Sequence, residues 1–263
     1  TAGSAVGLGN IWRFPYLAAK YGGGIFLLVY IILALTFGYT LIMAETSLGR
    51  MTRKSTVGAF ESFGNSRFIS IGGWINATIP ILIVPYYSVI GGWVIKYLIE
   101  YFAGHSKTLA GDAYFTTFIS NGWSTEICFI IFTLFTLGII YAGVRNGIER
   151  VSKFMMPILI VLSLIIAVYS VTRPGAIEGV KYFLVPNFDH FSWMTVVSAM
   201  GQMFYSLSIA MGILITFGSY MKKDTSIEKS TENVEIFDTA IAIMAGLMII
   251  PAVFAFSCGN AET

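Results

Sequence analysis

The sequence predicts an all-α, polytopic membrane fold whose helices are partly discontinuous. Three observations carry this. The 263 residues are 56% hydrophobic and 11% charged, against about 25% charged in a soluble domain. Seven stretches reach the ~20 apolar residues that a membrane helix needs: 1–20, 24–49, 69–102, 125–143, 153–171, 193–220 and 233–256. Two of the seven are interrupted by small and polar residues, and lipid tolerates broken helix only where the freed backbone lines a cavity or is buried in protein.

The first span opens Thr1-Ala-Gly-Ser-Ala-Val-Gly-Leu-Gly-Asn-Ile-Trp-Arg-Phe-Pro15. Gly3, Gly7 and Gly9 weaken helix by about 1 kcal/mol each relative to Ala. Asn10, Arg13 and Pro15 stand where a plain span carries Leu or Val. This predicts a break near Val6–Leu8. Its freed carbonyls suit a cation, and a new helix start near Gly9 suits an anion. A glycine-rich helix–helix contact explains the same residues. Tyr21-Gly-Gly-Gly24 then turns the chain back.

The second span holds Tyr30 and Glu45. A carboxylate within a span needs a partner. Glu45 either binds an ion or proton, or accepts hydrogen bonds from backbone freed at another broken helix; the second reading is favoured. The third span carries Ile83-Val-Pro-Tyr-Tyr87. Its tyrosine pair is either polar lining or packing with satisfied hydroxyls. The sequon at Asn76 falls in or beside this span and is discounted. Residues 104–124 form an external loop, and spans four and five read as scaffold. The sixth span is interrupted by Gln202, Tyr205, Ser206 and Ser208. The seventh begins near Asp238, a carboxylate followed by continuous apolar sequence. Glu228, Glu232 and Glu235 before it read as solvated.

Charge sets orientation and excludes classes. Segments 50–67, 144–153 and 221–232 hold most of the Lys and Arg residues, among them Arg50, Arg145, Lys222 and Lys223. The positive-inside rule places them, and the start of the chain, in the cytoplasm of a plasma membrane. The net charge of +2 makes no case for nucleic acid. Cys128 and Cys258 read as buried small hydrophobes. His105 and His190 fall in external loops, and no nucleophile–base pair supports an intramembrane enzyme. The chain starts inside one hydrophobic segment and stops after another, which reads as part of a longer protein. Two broken helices, a tyrosine pair and a carboxylate at mid-bilayer converge on transport, with oxygen donors suited to Na⁺.

Several motifs carry a resemblance. Ala5-Val-Gly-Leu-Gly-Asn-Ile-Trp-Arg-Phe-Pro-Tyr16, Gly22-Gly-Gly-Ile-Phe-Leu-Leu-Val-Tyr30, Glu45-Thr-Ser-Leu-Gly-Arg50, Pro85-Tyr-Tyr-Ser-Val-Ile-Gly-Gly-Trp93 and Gln202-Met-Phe-Tyr-Ser-Leu-Ser208 closely resemble the neurotransmitter:sodium symporter family, its bacterial amino-acid transporters above all. The resemblance implies a discontinuous-helix, inverted-repeat transporter fold, truncated here after the seventh helix. It implies sodium-coupled symport of an amino acid by alternating access, with two sodium ions.

The first sodium site would take the Ala5 carbonyl, Asn10, Ser206, Asp238 and the substrate carboxylate. The second would take the Gly3 and Val6 carbonyls and is incomplete in this chain. The substrate carboxylate would meet amides near Leu8 and Gly9 and the Tyr87 hydroxyl. Ile83, Tyr205, Ser208 and Met211 would line an apolar side-chain pocket. Arg13, with Tyr87 and Tyr205, would form the outer gate, and Glu45 and Gln202 would brace the broken helices. Gly7 stands where monoamine transporters of the family carry Asp, so the substrate should bring its own carboxylate. The pocket favours a hydrophobic or aromatic side chain. Asp238 stands where many members carry Asn. Its fixed charge predicts independence from the chloride that other members hold near Tyr30, Gln202 and Ser206; the alternative places Asp238 at the cytoplasmic surface. Alternatives to symport are an amino-acid sensor without transport and a fragment without function. Beyond amino acid and bilayer, no partner or oligomeric state is implied.

Overall fold

A computed structural model describes residues 7–64, 66–109, 111 and 113–256, with backbone only at 144–146. The described residues are helical almost throughout. After a π-helical turn at Gly9–Arg13 come α1 (Phe14–Lys20), α2 (Gly24–Thr52, π-helical over Ala34–Gly38), α3 (Thr56–Glu61) and α4 (Arg67–Phe102). Then follow α5 (Ser106–Leu109), α6 (Tyr114–Ser120), α7 (Gly122–Tyr141), α8 (Gly147–Val171), α9 (Ala176–Leu184), α10 (Trp193–Ser206), α11 (Ile213–Tyr220) and α12 (Ile227–Phe256). The helices α2, α4, α7, α8 and α12 are each long and apolar enough to cross a membrane. The stretch 193–220 is two helices, of 14 and 8 residues. Neither alone has the ~20 residues a crossing requires.

Two compact units divide the chain. One takes the described residues up to Thr78 and from Met155 onward, the other Ile79–Phe154. The first is built on an aromatic cluster. Phe14 on α1 meets Tyr30 edge-on at 5.0 Å, with Phe26 at 5.7 Å and Phe183 at 6.3 Å. All four rings are fully buried, and such tilted pairs add to the packing energy beyond the area they bury.

The turn into α2 needs glycine. Gly22 and Gly23 have φ of +98° and +56°, and Gly23 pairs with Pro186 in an isolated antiparallel bridge. The segment of α9 reads in the sequence as loop between two spans, yet it folds as a helix. The signal is there: Ala176, Gly179 and Phe183 recur at helical spacing and are buried. A side chain at Gly179 would meet the Pro251 Cα at 2.8 Å, so α9 lies directly on α12. A second close crossing joins α2 to α11. Any Cβ at Gly49 would overlap the Ile215 carbonyl, and any Cβ at Gly218 the Thr46 carbonyl. Small residues let membrane helices approach to backbone contact.

In the second unit, α7 lies against the later part of α4. Gly91 faces the Phe132 ring, and Gly92 faces the backbone at Phe129. Cys128 is buried there; Cys258 lies outside the described residues. Many large apolar side chains of α7 and α8, such as Phe135, Tyr141 and Ile165, stay exposed, as expected for surfaces that face lipid rather than water.

Candidate functional site

The site is built where the first helix, α2, α10 and α12 meet. The Gly7 carbonyl accepts hydrogen bonds from the Asn10 and Ile11 amides, at 3.2 and 3.4 Å. The Gly7 amide donates to Asn10 Oδ1 at 3.2 Å. This local ring fixes Asn10, which is 1% exposed. Its Nδ2 then donates to the Asp238 side chain at 2.7 Å and to the Asp238 carbonyl at 3.0 Å.

Asp238 is fully buried on α12, so the alternative of a cytoplasmic-surface position does not hold. The Tyr30 hydroxyl donates to its Oδ2 at 2.9 Å, and the Ser206 hydroxyl reaches both carboxylate oxygens, at 2.9 and 3.1 Å. Among the described residues no Lys, Arg or His forms an ion pair with it. Neutral hydrogen-bond donors therefore satisfy both of its oxygens, as burial of a polar group demands. Gln202, one turn before Ser206 on α10, donates from Nε2 to the Gly9 carbonyl at 2.8 Å. Its Oε1 is buried without a hydrogen-bond partner.

The helix break follows Ser206. Ser208, Ala210 and Gly212 all have positive φ, at 56°, 60° and 69°. Non-glycine residues pay a steric cost in that region, so the segment needs outside support. Glu45 on α2 supplies part of it, accepting the Ala210 amide on Oε1 at 2.7 Å. Thr56 supplies more, donating to the Gly212 carbonyl at 3.0 Å. On the other side of the break the Arg13 guanidinium lies 4.7 Å over the Tyr205 ring, a cation–π contact. Gly9 abuts the same ring, since a Cβ there would lie 3.1 Å from Tyr205 Cδ1.

The structure thus gathers Gly7, Leu8, Gly9, Asn10, Arg13, Glu45, Gln202, Tyr205, Ser206, Ser208, Met211 and Asp238 within one unit. Ile83 and Tyr87 belong to the other unit, one turn apart on α4, where Tyr87 meets Tyr86 edge-on at 6.0 Å. Gly3, Ala5 and Val6 lie outside the described residues. Ser206, Asp238 and the orphaned Gln202 Oε1 bring oxygen donors to the cluster, the donor chemistry of a hard cation, while Asn10 turns its Nδ2 to Asp238 and its Oδ1 to the Gly7 amide. Among the described residues no group of three or more His, Cys, Asp or Glu side chains could hold a metal ion.

One sequence expectation needs correction. Glu235 is not solvated: it is 5% exposed, and its Oε1 lacks a hydrogen-bond partner. It shares the buried stripe of α12 with Thr231, Val234 and Asp238, so the 3.6-residue period held the signal that a local count of charges hid.

Comparison with known proteins decides the family. The sequence model of the Sodium:neurotransmitter symporter family matches residues 1–129 and 100–262. The chain belongs to this family. It is 36% identical over 258 residues to the uncharacterized sodium-dependent transporter YhdH of Bacillus subtilis (strain 168), covering 97% of this chain and 57% of that protein. A sodium-dependent transporter of Haemophilus influenzae, also uncharacterized, is 32% identical, with 97% and 59% covered. Among solved structures, that of MhsT in complex with L-phenylalanine superposes with a TM-score of 0.92 at 38% identity, covering the whole of this chain and 60% of MhsT. The chain therefore spans a little under 60% of the length of these bacterial relatives. The likeness to MhsT gives the architecture a name: a discontinuous-helix transporter fold. These relatives are transporters rather than enzymes.

Proposed function

We propose that the protein is a sodium-coupled symporter of a hydrophobic or aromatic amino acid, working by alternating access and without chloride. The observation that carries the reading is the buried Asp238 carboxylate, held by Asn10, Tyr30 and Ser206 rather than by a basic side chain. A sodium ion needs oxygen donors and a compensating negative charge in a low-dielectric interior. Asp238 brings both, with Asn10 and Ser206 beside it. The Tyr30 and Ser206 hydroxyls, which could otherwise donate to a chloride ion, donate to this carboxylate.

The amino-acid substrate is supported from two sides. Gly7 leaves the carboxylate to the substrate, where an Asp would replace it. MhsT, the 38% identical neighbour, was solved with L-phenylalanine. The substrate carboxylate would meet the helix start at Leu8 and Gly9, with Tyr205, Ser208 and Met211 beside its side chain. Arg13 over Tyr205 closes the outer side. Glu45 and Gln202 hold the two breaks in register. A second sodium ion would take the Gly3 and Val6 carbonyls. The basic segments around Arg50 and Lys222 face the cytoplasm of a bacterial inner membrane.

Driving force is ample. Each net charge carried inward through 100 mV yields about 2.3 kcal/mol, and a tenfold sodium gradient adds about 1.4 kcal/mol per ion. Equilibrium binding tests the reading. The full-length protein in detergent should bind labelled L-phenylalanine in sodium chloride and equally in sodium gluconate. Replacing sodium by choline should weaken binding by about tenfold or more. A need for chloride, or a preference for glycine and serine over phenylalanine, leucine and tryptophan, would contradict it.

A further inference from the structure

One buried carboxylate has no part in the site just described. Glu235 lies one helical turn from Asp238, and Thr231 lies one turn further, toward the segment bearing Lys222 and Lys223. The three occupy the same buried stripe of α12, spanning about 10 Å at 1.5 Å per residue. Thr231 is 1% exposed and Glu235 5%. Each carries a buried side-chain oxygen without a hydrogen-bond partner, Thr231 Oγ1 and Glu235 Oε1. Thr231 does not even use the ordinary bond from a helical hydroxyl back to the carbonyl one turn earlier. Glu228 and Glu232, on the same helix, are exposed, so solubility of the helix end does not explain a carboxylate turned inward.

Among the described residues no Lys, Arg or His forms an ion pair with Glu235. Asp238 is the charge that acts on it, and Tyr30 and Tyr39 of α2 are the titratable groups across from it. Two carboxylates along one buried stripe repel each other, and a cation beside them offsets both. The unfilled coordination is all oxygen, one carboxylate and one hydroxyl, which suits a small hard monovalent ion.

We infer that Thr231 and Glu235 form a transient sodium site on the path from Asp238 to the N-terminal end of α12. The inference rests on the proposed symport. Sodium leaving Asp238 steps one turn along the stripe, exchanging one carboxylate for the next instead of crossing bare apolar interior.

The test is the rate at which the full-length protein releases bound ²²Na⁺ after dilution into choline buffer, measured with Thr231→Val, Glu235→Gln and Glu235→Asp. Thr231→Val keeps the side-chain volume and so answers the question even where Glu235→Gln fails to fold. Release should slow about tenfold in Glu235→Gln, which removes the carboxylate that receives the ion. It should slow by a smaller factor in Thr231→Val and recover in Glu235→Asp, while equilibrium sodium affinity in Thr231→Val stays within about twofold. Release at the unaltered rate in Thr231→Val, or in a folded Glu235→Gln, would overturn the site and leave the symport reading standing. Failure of the unaltered protein to bind ²²Na⁺ at all would overturn the symport reading itself.

Discussion

Asp238→Ala abolishes sodium-dependent substrate binding. The substitution removes the negative charge that compensates the ion. It also leaves the Asn10 amide, the Tyr30 hydroxyl and the Ser206 hydroxyl without their shared acceptor. Removing one member of a buried charged network costs about 3–5 kcal/mol, which at 1.4 kcal/mol per tenfold weakens sodium affinity by more than about a hundredfold. Asp238→Asn separates charge from packing. It keeps the volume and one acceptor oxygen, so it should fold with a near-normal melting temperature and still lose sodium affinity. Because the Tyr30 and Ser206 hydroxyls then face no fixed anion, chloride should restore part of the binding. ²²Na⁺ isotherms in chloride and gluconate check both variants, and an isotherm for Asp238→Asn like that of the unaltered protein would contradict the role of the charge.

Gly49→Leu prevents the protein from folding, and Gly49→Ala destabilises it by about 1–3 kcal/mol, the usual cost of overpacking. The reason is the reciprocal crossing of α2 and α11. Gly49 faces the Ile215 carbonyl while Gly218 faces the Thr46 carbonyl. Backbone atoms on both sides cannot rotate away as side chains do, so an added methyl forces the helices apart. Such separation also moves Glu45, four residues before Gly49, from the Ala210 amide that it holds at 2.7 Å. Gly201→Ala is the internal control. A Cβ there meets nothing within 4 Å, and alanine is the better helix former by about 1 kcal/mol. Thermal melting in detergent should show a clear fall for Gly49→Ala and none for Gly201→Ala. Equal behaviour of the two would show that the crossing is not tight.

Much of the architecture was legible in the sequence because lipid imposes harsh rules. Runs such as 24–49 and 153–171 can hardly be anything but helices in a membrane. The cluster Gln202, Tyr205, Ser206 and Ser208 announced a break, since so many polar groups need partners that a continuous span in lipid does not offer. The structure breaks the helix over 207–212. What local pattern could not supply was pairing across the chain. Asn10 and Asp238 stand 228 residues apart, and Tyr30 and Asp238 208 apart. No spacing rule joins them; their oxygens suit one hard cation, and likeness to a family assigns Asn10, Ser206 and Asp238 to a single sodium site. The two misses have physical causes. Helix α9 is short and sits beside a span, so its buried stripe of Ala176, Gly179 and Phe183 was read as connection. Glu235 follows Glu228 and Glu232 in sequence and was counted with them, although helical phase turns it the other way.

Accumulation against a gradient tests the central claim most directly. Proteoliposomes containing the full-length protein, given an inward sodium gradient and an inside-negative potential, should concentrate labelled L-phenylalanine well above the external level, in chloride and in gluconate alike. Collapsing the sodium gradient should release it. Sodium-dependent binding without accumulation would contradict symport and leave the Asn10–Ser206–Asp238 cluster as the recognition site of a membrane sensor.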